Sequence, residues 1–185
     1  MGHRAGQGVR RTSFGTIRVR PRPSRRSLGW LFAGALTIPV ALGRSGVRAD
    51  KREGDGGTPR GSFRPLRLWW RADRLIRPRT FLPVRRIGAA DAWCEDPADR
   101  RYNRPLCRSA TEPGDRLRRA DHLYDLIVEI DHNTRPRVAG RGSAVFIHLA
   151  RDSYGPTAGC IGLNSRDLKN LLARITPKTR IKIHY

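Results

Sequence analysis

The first 49 residues of this chain contain ten arginines and neither aspartate nor glutamate. An unbalanced basic stretch is attracted to any polyanion, whether nucleic acid, anionic lipid or bacterial cell wall, so it selects no partner by itself. Lysine is scarce as well: of 38 basic residues, 34 are arginine, against 16 acidic residues and a formal charge of +22. A preference that uniform has the look of genome-wide codon bias and not of a shaped nucleic-acid surface. Aromatic residues do not alternate with basic ones as a base-stacking platform requires, and zinc-finger and RNA-binding signatures are missing, which argues against a specific nucleic-acid partner. Cys-x2-Cys and His-x3-His spacings are missing too, so Asp131 and His132, with His122, read as a strand-end turn and no metal is expected. The apolar stretch from Leu28 to Leu42 is short and broken by Gly34 and Pro39, so a transmembrane span is not expected.

At 185 residues the chain suits one domain with a real core. Residues 1–27, rich in Arg, Gly, Pro and Ser, read as a basic disordered leader, and residues 28–185 as the folded domain. The segment SRRSLGWLFAGALTIPVALGRSG has the outline of a secretory signal, with a basic flank, an apolar centre and small residues. Its alternative is a strand pair, LGWLFAGAL and IPVALG, joined through Thr37. RSGVRADKREGDGGTPRGSF then has the composition of a loop or hairpin tip. Its spacing Gly56-x4-Gly61 suggests a phosphate loop, but Ser62 and Phe63 stand where Lys and Ser or Thr are needed.

Phe63 to Trp70 and Phe81 to Val84 read as short strands, and WCEDPADRRYNRPLCRSATEPGD as a long functional surface loop. HLYDLIVEID alternates as a strand with Leu126, Val128 and Ile130 on one face. SAVFIHLA, apolar on both faces, is expected at the centre of the sheet. NSRDLKNLLARI puts Leu168, Leu171, Leu172 and Ile175 on one helical face, with Asn164 as cap and Pro177 as stop. TRIKIHY alternates as a half-buried final strand. The count of elements predicts a mainly β domain with one short helix.

Three cysteines are present. One of them, Cys160, follows Gly159 and lies twelve residues beyond His148, which interrupts the apolar run AVFIHLA. A thiol near pKa ~8.5 supplies little thiolate at neutral pH, and a neighbouring histidine can take its proton. Gly159 permits a turn with positive φ, and the N–H groups of Gly159, Cys160 or Ile161 are natural oxyanion donors. The alternative is a small buried cysteine and a satisfied core histidine.

His148 followed by Thr157-Ala158-Gly159-Cys160-Ile161-Gly162, with a helix and a last strand behind it, resembles the catalytic segment of YkuD-type L,D-transpeptidases. That pattern is His, a variable stretch, then Ser or Thr, His, Gly, Cys, an aliphatic residue, and Arg or Asn. Upstream, Thr58, Pro59, Gly61 and Phe63 match the family's Thr-Pro-x-Gly-x-Phe. Ala158 replaces the second His, Gly162 stands where Arg or Asn is usual, and the interval from His148 to Cys160 is short. The resemblance implies a β-sandwich or barrel-like sheet with a short helix after the cysteine turn. It implies Cys160 as nucleophile, His148 as base, and the Leu149 carbonyl as third member. It also implies peptidoglycan stem peptides as substrates, an amine acceptor on a second stem or a wall-anchored protein, no cofactor, and a place in the periplasm or cell envelope; the alternatives are a hydrolase (L,D-carboxypeptidase or amidase) with water as acceptor at the same site, and a non-enzymatic module that binds polyanions or the cell wall. A strand pair precedes the Thr-Pro-x-Gly segment in similar proteins, which favours the sheet over the signal peptide for LGWLFAGALTIPVALG. Thr157, Tyr154, Arg151 and Asp152, placed between base and nucleophile, are expected to line the substrate groove. Cys94 and Cys107 would be able to pair in an exported protein, and two unpaired thiols are the equal alternative.

Overall fold

The computed structural model describes residues 12–108 and 114–185. Strands β1 (Thr16–Arg22), β2 (Arg25–Ala33) and β3 (Leu36–Ala41) form an antiparallel meander, and β4 (Val47–Arg48) and β5 (Thr58–Pro59) a small parallel pair. Then come β6 (Gly61–Phe63), β7 (Pro65–Trp70) and β8 (Val84–Arg86), followed by β9 (Asp91–Trp93), β10 (Pro105–Cys107) and β11 (Asp115–Arg116), which make a separate three-stranded sheet. The chain closes with β12 (Leu126–Ile130), β13 (Phe146–Leu149), β14 (Ile161–Leu163), helix α1 (Ser165–Leu172) and β15 (Arg180–Ile183).

Ten strands form one sheet in the order β6-β15-β1-β2-β3-β14-β13-β12-β7-β8. Strand β6 lies at one end of that order and β7 next to the other, yet only Arg64 separates them in the chain. One residue spans about 3.5 Å. The two ends therefore meet, and the sheet curls round on itself as a barrel-like wall.

Alternation along the central strands gives this wall two different faces. Leu68 and Trp70 of β7, Leu126, Val128 and Ile130 of β12, and Ile147 and Leu149 of β13 enter a large cluster dominated by Leu, Ile and Val. The residues between them, Trp69, Ile127 and Phe146, enter a second cluster with Trp93, Leu117 and Cys160. Helix α1 seals the first cluster through fully buried Leu168, Leu171 and Leu172. Its start is fixed by Asn164, whose Oδ1 accepts the Asp167 N–H at 2.8 Å, a cap worth about 1 kcal/mol.

Several sequence expectations change here. The boundary at residue 27 falls inside the sheet: Ile17 and Val19 of β1 are fully buried, and β1 pairs with both β2 and the C-terminal β15. Two inward aliphatics between outward arginines suffice for a strand, a signal that the surrounding Arg, Gly and Pro obscure. Residues 1–11 lie outside the described residues. The hairpin between β2 and β3 turns at Gly34, which has φ 59°, and not at Thr37, which is within β3. The expected strand at Phe81 to Val84 begins only at Val84, beyond Pro83, and Phe81 is exposed. The helix ends at Leu172, although Ile175 is still buried. The long surface loop is structured for much of its length: β9, β10 and β11 bring Trp93 and Leu117 onto the second cluster.

Candidate active site

The turn that carries Cys160 is braced by the glycine-rich segment upstream. Gly159 has φ 145°, and a Cβ there would lie 2.8 Å from the Gly57 carbonyl oxygen, so only glycine fits. Gly43 is packed as closely: a Cβ would overlap the Gly56 carbonyl, and its N–H donates to Thr58 Oγ1 at 2.9 Å. The Arg44 N–H donates to the Thr157 carbonyl and the Thr157 N–H to the Leu42 carbonyl, both at 2.9 Å. The residues Gly56, Gly57 and Thr58 thus form no phosphate loop; they hold the cysteine turn in place.

His148 and Cys160 reach one face by register. Strands β13 and β14 are parallel with Ile147 opposite Ile161 and His148 opposite Gly162. Cys160 is therefore level with Phe146, and its side chain points to the same side as those of Phe146 and His148. The thiol donates to the Ala144 carbonyl at 3.2 Å, and Sγ accepts the Phe146 N–H at 3.3 Å. His148 Nδ1 lies 2.7 Å from the Leu149 carbonyl oxygen. A carbonyl only accepts, so Nδ1 carries the proton and Nε2 keeps its lone pair as the basic nitrogen. No hydrogen bond joins His148 to Cys160 in this arrangement, because the thiol is directed to Ala144. Ala144 itself has φ 49°, an unusual conformation for alanine. Its N–H donates to Asn103 Oδ1 at 3.2 Å, which holds its carbonyl toward the thiol.

Burial sets the protonation states. The Cys160 thiol is pushed up to about 12 by burial, with a smaller opposing contribution from the Phe146 N–H. His148 is pushed down to about 4, again by burial, against the favourable bond to Leu149. Both groups are neutral across the neutral range, so the resting pair is thiol and imidazole, not thiolate and imidazolium.

Cys160 opens into a cavity of about 320 Å³ whose lining includes Lys51, Glu53, Asp115, Tyr124, Ala158 and Gly159. Tyr124 also packs edge-on against the His148 ring, with centroids 5.2 Å apart, and its hydroxyl donates to Asp115 Oδ2 at 2.8 Å. Burial pushes the Asp115 carboxyl up from its ordinary value. Sequence reading missed Tyr124, Asp115 and Ala144. Each lies in or beside an irregular segment, where no period marks a side chain as facing the site.

The other expected site residues separate from the cysteine. The Thr157 hydroxyl donates to the Cys160 carbonyl at 2.7 Å and accepts the Gly159 N–H at 3.1 Å, so it shapes the turn. That bond also occupies the Gly159 N–H, which was expected to serve an oxyanion. The Ile161 side chain is in the large aliphatic core. Arg151, Asp152 and Tyr154 line a different cavity, of about 350 Å³, beside Leu149 and Asn164. There the Arg151 guanidinium donates to the Pro156 carbonyl and Tyr154 Oη accepts from Asn164 Nδ2. Neither residue lines the cysteine cavity. Of the positions that depart from the family pattern, Ala158 puts a methyl on the cavity wall. At Gly162 a Cβ would lie 3.2 Å from Ala150 Cα and 3.3 Å from Ala41 Cβ, so the glycine matches a close strand approach.

All three cysteines are free. Cys94 donates its N–H to the Arg104 carbonyl and so faces Arg104 across the β9–β10 ladder, three residues from Cys107. That offset is about 10 Å along a strand, beyond the reach of a disulfide. His122 pairs with Asp125 at 2.7 Å, while His132 bonds the Arg141 carbonyl and packs against Phe63, so the two histidines have separate partners. No helix among the described residues is long and apolar enough to cross a membrane.

The family model for the L,D-transpeptidase catalytic domain, YkuD, matches residues 22–183, and the chain belongs to that family. Among solved structures, the crystal structure of Mycobacterium tuberculosis L,D-transpeptidase 1 is similar at 15% identity and a TM-score of 0.38. The match covers 91% of this chain and 61% of that one, so the chain spans less than two thirds of that protein's length. No match is found among curated proteins.

Proposed function

We propose that this YkuD-family domain is a cysteine acyltransferase that cross-links or remodels peptidoglycan outside the cytoplasmic membrane. The observation that carries this reading is the shared face of His148 on β13 and Cys160 at the entry to the adjacent parallel β14, with the imidazole tautomer fixed by the Leu149 carbonyl.

When a stem peptide enters the cavity, the thiol leaves the Ala144 carbonyl and turns to His148 Nε2, which takes its proton as the sulfur attacks. The attacked carbon is the carbonyl of the bond before the terminal D-residue. The S–C bond forms, the C–N bond breaks, and the imidazolium returns its proton to the departing amine. An amine from a second stem, or from a wall-anchored protein, then attacks the thioester; its proton passes through His148 to the leaving sulfur. One amide replaces another. Water in the acceptor's place would give a shortened stem and make the same site a carboxypeptidase. At rest burial keeps both groups neutral, so the proton moves to His148 as the sulfur attacks and not beforehand.

Incubation of the protein with disaccharide tetrapeptide, followed by mass spectrometry of the products, tests this reading. Stem dimers with release of one terminal D-residue per bond are expected. Shortened monomer alone would make it a hydrolase, and unaltered substrate in the presence of well-folded protein would overturn it.

A further inference from the structure

Away from the cysteine cavity, a basic hollow of about 830 Å³ has no part in the chemistry above. Six guanidiniums line it, from Arg64, Arg67, Arg104, Arg135, Arg137 and Arg180, against the two carboxylates of Glu129 and Asp131. The formal surplus is four positive charges. Both acids are already engaged: Glu129 accepts from Trp69 Nε1 at 2.9 Å and pairs with Arg67 at 3.0 Å, and Asp131 Oδ1 accepts the Arg64 N–H at 2.7 Å. Arg64, Arg104, Arg135, Arg137 and Arg180 form no ion pair among the described residues.

These side chains come from distant parts of the chain: the β6–β7 corner, the residue before β10, the β12–β13 connection and the start of β15. Convergence of like charges raises the energy of the empty site. Arg137 shows it, its pKa lowered by burial and by the charge of Arg104. An anion in the hollow removes that repulsion.

The geometry points to a second binding site, one for a ligand carrying several phosphates along a short chain, as an oligophosphate or a phosphodiester oligomer does. A carboxylate offers two oxygens in one plane and satisfies one guanidinium fork. A phosphate offers oxygens in several directions, so adjacent phosphates are shared among forks that arrive from different walls. The hollow is too large for a single phosphate and has room for several. It shares a wall with the reactive face through Trp93 and Asn103, because Asn103 Oδ1 accepts from both Trp93 Nε1 and the Ala144 N–H. The site does not depend on the acyltransfer reading.

Calorimetric titration at near-physiological salt tests it with tripolyphosphate and a glycerol phosphate oligomer, and with citrate as a tricarboxylate control. A protein of charge +22 attracts every polyanion, so the decisive comparison is between two variants of equal charge. One is Arg104→Glu with Arg135→Glu, both exposed in the hollow; the other is Arg77→Glu with Arg166→Glu, exposed elsewhere. Saturable binding of one chain per protein is expected, lost by at least about tenfold in the first variant and by less than about threefold in the second. Citrate should bind at least about tenfold more weakly than tripolyphosphate. Binding of tripolyphosphate alone would assign a soluble oligophosphate, and binding of both phosphate ligands a phosphodiester polymer. Equal losses in the two variants, at matched melting temperatures, would overturn the site, as would citrate binding as tightly as tripolyphosphate.

Discussion

The two faces of the long sheet are built from alternate residues of the same strands and differ in kind. One carries Leu126, Val128, Ile147 and Leu149 into a core sealed by α1. The other carries Phe146 and His148 toward Cys160, beneath the tryptophans and Tyr124. Polar groups on the first face would cost stability with no return; on the second they are buried but bonded, His148 to Leu149 and Cys160 to Ala144. The comparison shows how a small domain keeps titratable groups dry. The aliphatic face fixes the register, and the register fixes the chemistry: a slip of one residue in β13 would turn His148 into the aliphatic core.

If the division is real, substitutions on the two faces should damage different properties. The largest effect is expected from Cys160→Ala, which should lower turnover by at least about 10⁴-fold while the protein stays folded. Product formation and circular dichroism on one sample would check both halves. Next comes His148→Gln, which should cut turnover by about 10²- to 10⁴-fold; a loss below tenfold would mean another group takes the proton. Leu171→Ala should do the opposite, costing about 2–5 kcal/mol of stability and leaving turnover per folded molecule unchanged in a denaturant-titrated assay.

A smaller effect sharpens the comparison through pH. His148 is held at about 4 against an ordinary 6.5, so between those values the unfolded chain binds the extra proton. The stability from burying the neutral imidazole is complete above 6.5 and is lost as pH falls toward 4. Between pH 7 and 4 the wild type should lose on the order of 3 kcal/mol more than His148→Gln in paired urea titrations. For Cys160, held at about 12 against an ordinary 9.0, the sign is reversed, and stability falls as pH rises through that interval. The smallest effect belongs to Cys107→Ser: the residue is exposed and unbridged, so stability should shift by no more than about 0.5 kcal/mol. Iodoacetamide should label Cys107 well before Cys160 in the resting protein; equal labelling would show that the reactive face is open.

Much of this division was legible in the sequence where a period recurs. HLYDLIVEID read as a strand because it alternates, SAVFIHLA as a central one because apolar residues occupy both of its faces, and α1 and β15 were marked by spacing, cap and proline. The Cys160 turn was legible through Gly159, because a glycine directly before a cysteine suggests a special backbone. What sequence did not disclose depends on contacts between irregular segments. Gly57 against Gly159, Asn103 against Ala144 and Tyr124 against His148 are pairings, each with at least one loop residue, between positions far apart in the chain. Strand β1 was hidden for a different reason, since two buried aliphatics among arginines resemble a disordered leader. Tyr154 and Arg151 lie between base and nucleophile in sequence but line another cavity, so position along the chain was a poor guide to position in the site.

The most direct test of the account is the intact mass of the protein after rapid acid quench from disaccharide tetrapeptide. The predicted result is an added mass equal to the substrate less its terminal D-residue, located on Cys160 by peptide mapping and reduced to trace level in His148→Gln. An adduct on another residue, or product formation by the Cys160→Ala protein, would contradict it.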